Sequence, residues 1–299
     1  MGRSRGQIIL VAAFALALIF VSLALILNTA IFTENLATRE TADGHDALDL
    51  QQAVAETGDV LLRKTNRGGG TKTELTETYR DRIENYSDIE NVHAVARGSI
   101  RDIFVRQTHN GTYINQSNNG TLEDDDGNST WQVTADTTDV RAMTFNMSAA
   151  ESGTPFELNA TNGSSTWTLS VNESSDTFFV TLNDFSGNSV EENFTEDTLE
   201  IQPTNGSIDG ERWPELQFQD AFEGPFEMWI SNGSNASGTY QMTVDTPEDD
   251  IDNDGYDQSN DPHKTDAIYN ATLGLELFRE DLEYRANVTI EPEGPDPRQ

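Results

Sequence analysis

Apolar residues are arranged along this chain in three successive regimes. From Ile8 to Leu27 they are continuous apart from Ser22. Between residues 73 and 95, Leu75, Tyr79, Ile83, Tyr86 and Ile89 recur at three and four residues, the stripe of an amphipathic helix packed on a core. Thr71 and Glu74 have capping-box spacing at its start. Helical character is also expected through "TENLATRE" and, after a pause near Gly44, through Leu50, Val54 and Leu61, until "NRGGG" stops it.

From Ile100 the period changes to two. Trp167, Leu169 and Val171 alternate to one face, as do Phe178, Val180 and Leu182, and Tyr240, Met242 and Val244. Turn-rich pieces such as "NATNGSS" and "SNGSNASG" separate these runs. The segments Ala267 to Phe278 and Leu282 to Ile290 read as a hairpin. The expected fold is α+β: an N-terminal transmembrane helix, one or two short helices, then an antiparallel β-sandwich-like ectodomain. In residues this is a cytoplasmic basic leader at 1–6, a transmembrane helix at 7–31, a helical stem at 32–98, a β-rich acidic ectodomain at 99–291 and a disordered tail at 292–299.

A helix of the length of Ile8 to Leu27 spans about 30 Å, the thickness of a bilayer core. A cleaved secretory signal has a shorter apolar stretch followed by a small-x-small site, which "LILNTAIFTEN" lacks. Arg3 and Arg5 precede the run, so the positive-inside bias places the N-terminus in the cytoplasm and the remainder outside. Single-pass residence in the cell membrane follows, with the lipid bilayer as first partner. Ala13, Ala17 and Ala24 fall near one face of the span and would allow close approach of another copy.

The formal net charge is -34, and every acidic residue follows Phe32. Such a field repels nucleic acid, which is therefore not an expected partner. Trp, Phe, Tyr and Val are interspersed among the acids, so the charge reads as a solvated shell over a folded core. No cysteine is present. Disulfides, thiol catalysis and cysteine-ligated metals are thereby excluded.

Asn-x-Ser/Thr occurs at Asn85, Asn110, Asn115, Asn119, Asn128, Asn146, Asn159, Asn162, Asn172, Asn193, Asn205, Asn232, Asn235, Asn270 and Asn287. Composition alone would give roughly four such triplets. Asn146 alternates with Met143, Phe145 and Met147, Asn270 with Ala271 and Leu273, and Asn287 with Ala286 and Val288. These side chains are expected on the water-facing sides of strands, where N-glycosylation needs them.

"DIDNDGYDQSND" has the spacing of a calcium loop. Asp250, Asp252 and Asp254 stand at positions 1, 3 and 5, Gly255 at the sharp turn, Tyr256 with its carbonyl at 7, and Asp261 at 12. Asp replaces the usual Glu at the twelfth position, and no helical pattern flanks the loop. Calcium is the one candidate cofactor, with a structural role. His45, His93, His109 and His263 are scattered, and there is no HExxH, Gly-x-Ser-x-Gly or phosphate loop. The expected protein is not an enzyme.

The basic leader ending "RSRG", followed by Gln7 and an uninterrupted apolar run, resembles the leaders of archaeal type IV pilin-like proteins. Those leaders are cut just before the helix, which implies a cut between Gly6 and Gln7. Val11 stands where such pilins commonly carry Glu. "RGQIILVAAFALAL", "ENLATRE", "PFELNATNGSSTWTLSV", "GTYQMTV" and "DLEYRANVTIEPEGPDP" are similar to an uncharacterised family of haloarchaeal pilin-like membrane proteins. With only three lysines, the acidic composition is also similar to that of proteins from salt-loving archaea. The resemblance implies a cell-surface structural protein whose further partners are itself or other pilin-like subunits. A second expectation, from the acidic loop, is an anchored extracellular binding module stabilised by calcium.

Overall fold

The computed structural model describes residue 20 and residues 46–291, except 219–221, 223, 253, 254, 258, 259 and 281. The leader with Gly6 and Gln7, the expected span at 7–31 apart from Phe20, His45 and the tail lie outside the described residues. Among the described residues no helix is long and apolar enough to cross a membrane. What they form is an α+β fold of two helices and two antiparallel sheets.

The described part of α1 covers 46–66, and α2 covers Lys72–Val95. Thr71 caps α2 with the reciprocal box that its spacing with Glu74 predicts: the Glu74 carboxylate accepts from the Thr71 amide at 2.9 Å. Those bonds, from the Thr71 backbone first, hold the Glu74 carboxyl below its ordinary value. Gly58 lets α1 approach the sheet closely. A Cβ there would sit 2.8 Å from Ile290 Cδ1, and the Gly58 carbonyl accepts from Tyr79 of α2.

The larger sheet has the order β10-β9-β8-β3-β12-β1-β13-β14. Its strands are β1 (Ile100–Thr121), β3 (Val140–Ala150), β8 (Leu199–Gln202), β9 (Ser207–Ile208), β10 (Glu211–Arg212), β12 (Ala236–Val244), β13 (His263–Arg279) and β14 (Leu282–Ile290). The smaller sheet has the order β2-β11-β4-β5-β6-β7. It is built from β2 (Trp131–Thr137), β4 (Phe156–Thr161), β5 (Thr166–Glu173), β6 (Phe178–Asn183), β7 (Ser189–Phe194) and β11 (Phe226–Ser231).

One face of the long β1-β13 ribbon serves two cores side by side. Ile103 joins Val54, Leu62, Leu75, Tyr79 and Ile83 of the helices with Leu273, Leu275 and Leu277 of β13. Ile114 joins Phe145, Tyr240, Trp167, Val180 and Met228 between the two sheets. Ile103 and Ile114 have opposite parity in the sequence, so an uninterrupted strand would turn them to opposite faces. The register shift between Val105 and Gln107 leaves Arg106 as an extra residue and restores the common face. Each fully buried large aliphatic or aromatic side chain contributes about 1.5–3 kcal/mol.

Two expectations change. Ile89 does not share the burial of Leu75, Tyr79 and Ile83; it is 59% exposed, because the buried face of α2 continues through Ser87 and Ala94, and Ile89, two residues after Ser87, points away from it. The final hairpin begins earlier than Ala267, since β13 starts at His263 and continues along β1 as far as Asn115.

Candidate functional site

The acidic loop that joins β12 to β13 is anchored by a cation from the chain itself. Lys264, on the inner face of β13, is 6% exposed. Its ammonium donates to the carbonyl oxygens of Glu248 at 2.9 Å and Ile251 at 2.5 Å and lies 3.3 Å from the Glu248 carboxylate. The Tyr256 ring covers it at 6.0 Å. Lys72, at the start of α2, reaches the same loop from outside, with Nζ 2.8 Å from Asp249. The hydrogen bond with Asp249 is the main reason the Lys72 ammonium holds its proton above the ordinary range. Two of the three lysines of this acidic chain therefore serve one loop.

A second acidic loop meets it. Between β1 and β2, Asp124 accepts from the Asn128 amide at 2.6 Å and its side chain at 2.7 Å, and the turn closes as Gly127 N donates to Asp124 O. The next residue, Asp125, donates its amide to Gly255 O at 3.3 Å. Gly255 has φ +99°, and a Cβ there would stand 3.2 Å from Asp124 Cβ and 3.3 Å from the Trp131 ring. Both the conformation and the close approach require glycine. Burial, then the charges of Asp126, Asp124 and Asp257, push the Asp125 carboxyl above its ordinary value. Beneath the junction Trp131 and Tyr256 pack edge to face at 5.4 Å, and the Tyr256 hydroxyl donates to Val133 O at 2.5 Å.

Of the five expected calcium ligands, four are among the described residues. Asp250 ends an exposed 3-10 turn at Glu248–Asp250, and Asp252 is exposed. Asp254 lies outside the described residues. Tyr256 is in the loop, its ring buried. The Asp261 carboxylate faces β1, accepting from Ser117 N at 3.0 Å, Asn118 N at 2.6 Å and Asn118 Nδ2 at 2.7 Å, with His263 Nδ1 3.0 Å away. Burial alone would raise the Asp261 carboxyl, but Asn118 and His263 together hold it below its ordinary value. Among the described residues no three His, Asp or Glu side chains are grouped to hold a metal ion.

A groove of about 450 Å³ lies between β7, at the edge of the smaller sheet, and the β9-β10 hairpin, at the edge of the larger. Glu192, Glu196, Asp209 and Glu211 line it with Arg212 and Trp213. Its acidic walls suit a cationic ligand better than an anionic one.

None of the fifteen Asn-x-Ser/Thr asparagines is buried. Asn115, Asn146, Asn270 and Asn287 lie on β1, β3, β13 and β14, on the face of the larger sheet opposite both cores. Asn159 and Asn172 lie on the outer face of the smaller sheet. The side-chain amides of Asn232 and Asn235 are occupied, donating to the carbonyls of Pro155 and Thr154.

Sequence spacing picked out only one of the two converging loops. The "EDDDGN" run at Glu123 to Asn128 was the available signal for the other, and a lone lysine in so acidic a chain was the signal for Lys264. No curated protein and no solved structure matches this chain. Residues 2–161 match the model of a family of unknown function, DUF7261, and the chain belongs to that family.

Proposed function

We propose that this protein is a non-enzymatic, membrane-anchored component of the cell surface. In this reading the apolar run Ile8 to Leu27 holds the chain in the membrane with a pilin-like N-terminus, and the acidic β-domain stands outside, N-glycosylated, in a structural role. The observation that carries the reading is the distribution of the glycosylation triplets: fifteen acceptors, none buried, with four on the open face of the larger sheet. A glycan on any of those four meets water and no core side chain, so the fold tolerates modification there. Glycopeptide mapping of the native protein tests it. Sugar on Asn146 and Asn287 is expected; unmodified asparagine at all four strand positions would remove the main support.

A second reading, an anchored binding module stabilised by calcium, is favoured by the meeting of the two acidic loops. Asp125 gathers negative charge from Asp124, Asp126 and Asp257, which a divalent ion would relieve. Calorimetric titration with calcium in high salt decides it. Heat and a raised melting temperature support the module; the absence of both dismisses it.

A further inference from the structure

Five of the eight exposed large apolar residues among the described ones fall in the first described turn of α1, the end of α2 and the start of β1; the others are Phe20, Val60 and Val190. Ile89, Val92, Val95 and Ile100 are 59%, 71%, 60% and 56% exposed, within the last two turns of α2 and the first residue of β1. At three-residue steps, Ile89, Val92 and Val95 form one stripe on the helix, opposite the face that buries Leu75, Tyr79 and Ile83. Leu48, in the first described turn of α1, is 60% exposed.

Leu48, Ile89, Val92, Val95 and Ile100 lie at the end of the domain where the described part of α1 begins, at residue 46. Asp46 accepts from Arg279 at 2.7 Å where β13 finishes, and Ile100 pairs with Phe278. The hydrogen bond from Arg279, with the nearby charges of Arg101 and Arg97, lowers the Asp46 carboxyl against the opposing effect of burial. In sequence, the apolar run stops at Leu27 and residues 28–45 lead from it to this end.

Some of the charges at this end are paired, while Asp88 is exposed on α2 one turn before Val92. Glu90 is paired with Arg101 at 2.7 Å and Asp46 with Arg279, while Arg97 is exposed beside the stripe at the end of α2.

We infer that this end of the ectodomain sits on the bilayer surface, with the stripe Ile89, Val92, Val95 and Ile100 in the headgroup layer. The inference rests on the anchored reading above. Apolar side chains flanked by arginine are the chemistry of an interfacial helix. The anchor supplies the high effective concentration that so small a patch needs. The seating would orient the domain, holding α2 at the membrane and the sandwich away from it.

The absence of cysteine makes a direct test possible. Full-length protein carrying Val92→Cys, Ser170→Cys or Ala17→Cys, each labelled with a nitroxide, is reconstituted in vesicles of phosphatidylcholine and phosphatidylglycerol. Collisions with oxygen, which concentrates in lipid, are compared with those of a water-soluble nickel chelate. The label at Val92 should gain oxygen accessibility and lose nickel accessibility, as at Ala17, whereas the label at Ser170 on β5 stays aqueous. An aqueous label at Val92 with lipid contact at Ala17 overturns the seating and leaves the anchor intact. An aqueous label at Ala17 removes the anchored reading and the seating with it. Spin-spin broadening at Val92 would assign the stripe to a second copy and also overturn the seating.

Discussion

The ammonium of Lys264 donates to the carbonyl oxygen of Ile251 at 2.5 Å, inside an acid-rich loop. A buried lysine satisfies there the carbonyls of Glu248 and Ile251, at the start of the segment in which the sequence suggests a calcium loop. Replacing it by methionine keeps the length of the side chain and removes all three donors, leaving the carbonyls of Glu248 and Ile251 without their partner. Lys264→Met should cost about 3 kcal/mol, read as a fall in melting temperature at constant salt. An unchanged melting temperature would mean that the loop closes without the ion.

Asp261 fastens the other end of that loop to β1. Its folded-state carboxyl is lowered, so its contribution to stability is present above the unfolded value of about 3.9 and is lost as pH falls through the folded value. Acid titration followed by the amide signals of Ser117 and Asn118 should therefore show release below about pH 4. Asp261→Ala should lower stability by about 1–3 kcal/mol and abolish that transition. Retention of the transition in the variant would assign it to another group.

Gly111 lies where β1 is flanked by both β12 and β13. A Cβ at this position would stand 2.2 Å from the Val244 carbonyl oxygen and 2.9 Å from Tyr269 Cβ. Backbone has to move to admit it, and Gly111→Ala should destabilise by about 1–3 kcal/mol in chemical denaturation. Gly127, with φ +80° and open space around it, tests the conformational effect alone. Gly127→Ala should cost less than Gly111→Ala.

A formal charge of -34 predicts that salt stabilises the fold. Screening shortens the range of repulsion to about 3 Å at molar ionic strength. The melting temperature should rise steadily with potassium chloride into the molar range. A flat or falling curve would show that the carboxylates are paired well enough to need no screening.

Much of this architecture can be read locally from the chain. Thr71 and Glu74 announce the start of α2 because a capping box needs only residues three apart, and the alternation at Phe178, Val180 and Leu182 marks β6 because one face of it is buried. What escaped local reading depends on long-range contact. Ile89 continues the helical spacing of three residues after Tyr86, but the packed face of α2 passes through Ser87 and Ala94 and leaves Ile89 outside. The first residues of β13 were hidden because Lys264 and Asp266 occupy inward positions that a strand pattern expects to be apolar. The meeting of Asp125 with Gly255 follows from the pairing of β1 with β12 and β13, which no spacing within either loop encodes. Three of the acceptors on the outer sheet face, Asn146, Asn270 and Asn287, by contrast, were legible, since alternation alone fixes which side of a strand each takes.

The most direct test of the anchored, glycosylated reading is intact-mass spectrometry of the native protein extracted from membranes, combined with identification of its first peptide. The expected result is a chain that retains the apolar run from Gln7 onward, in the membrane fraction, with a mass above that of the polypeptide by several glycans. A chain that begins beyond residue 31, with the bare polypeptide mass, would contradict it.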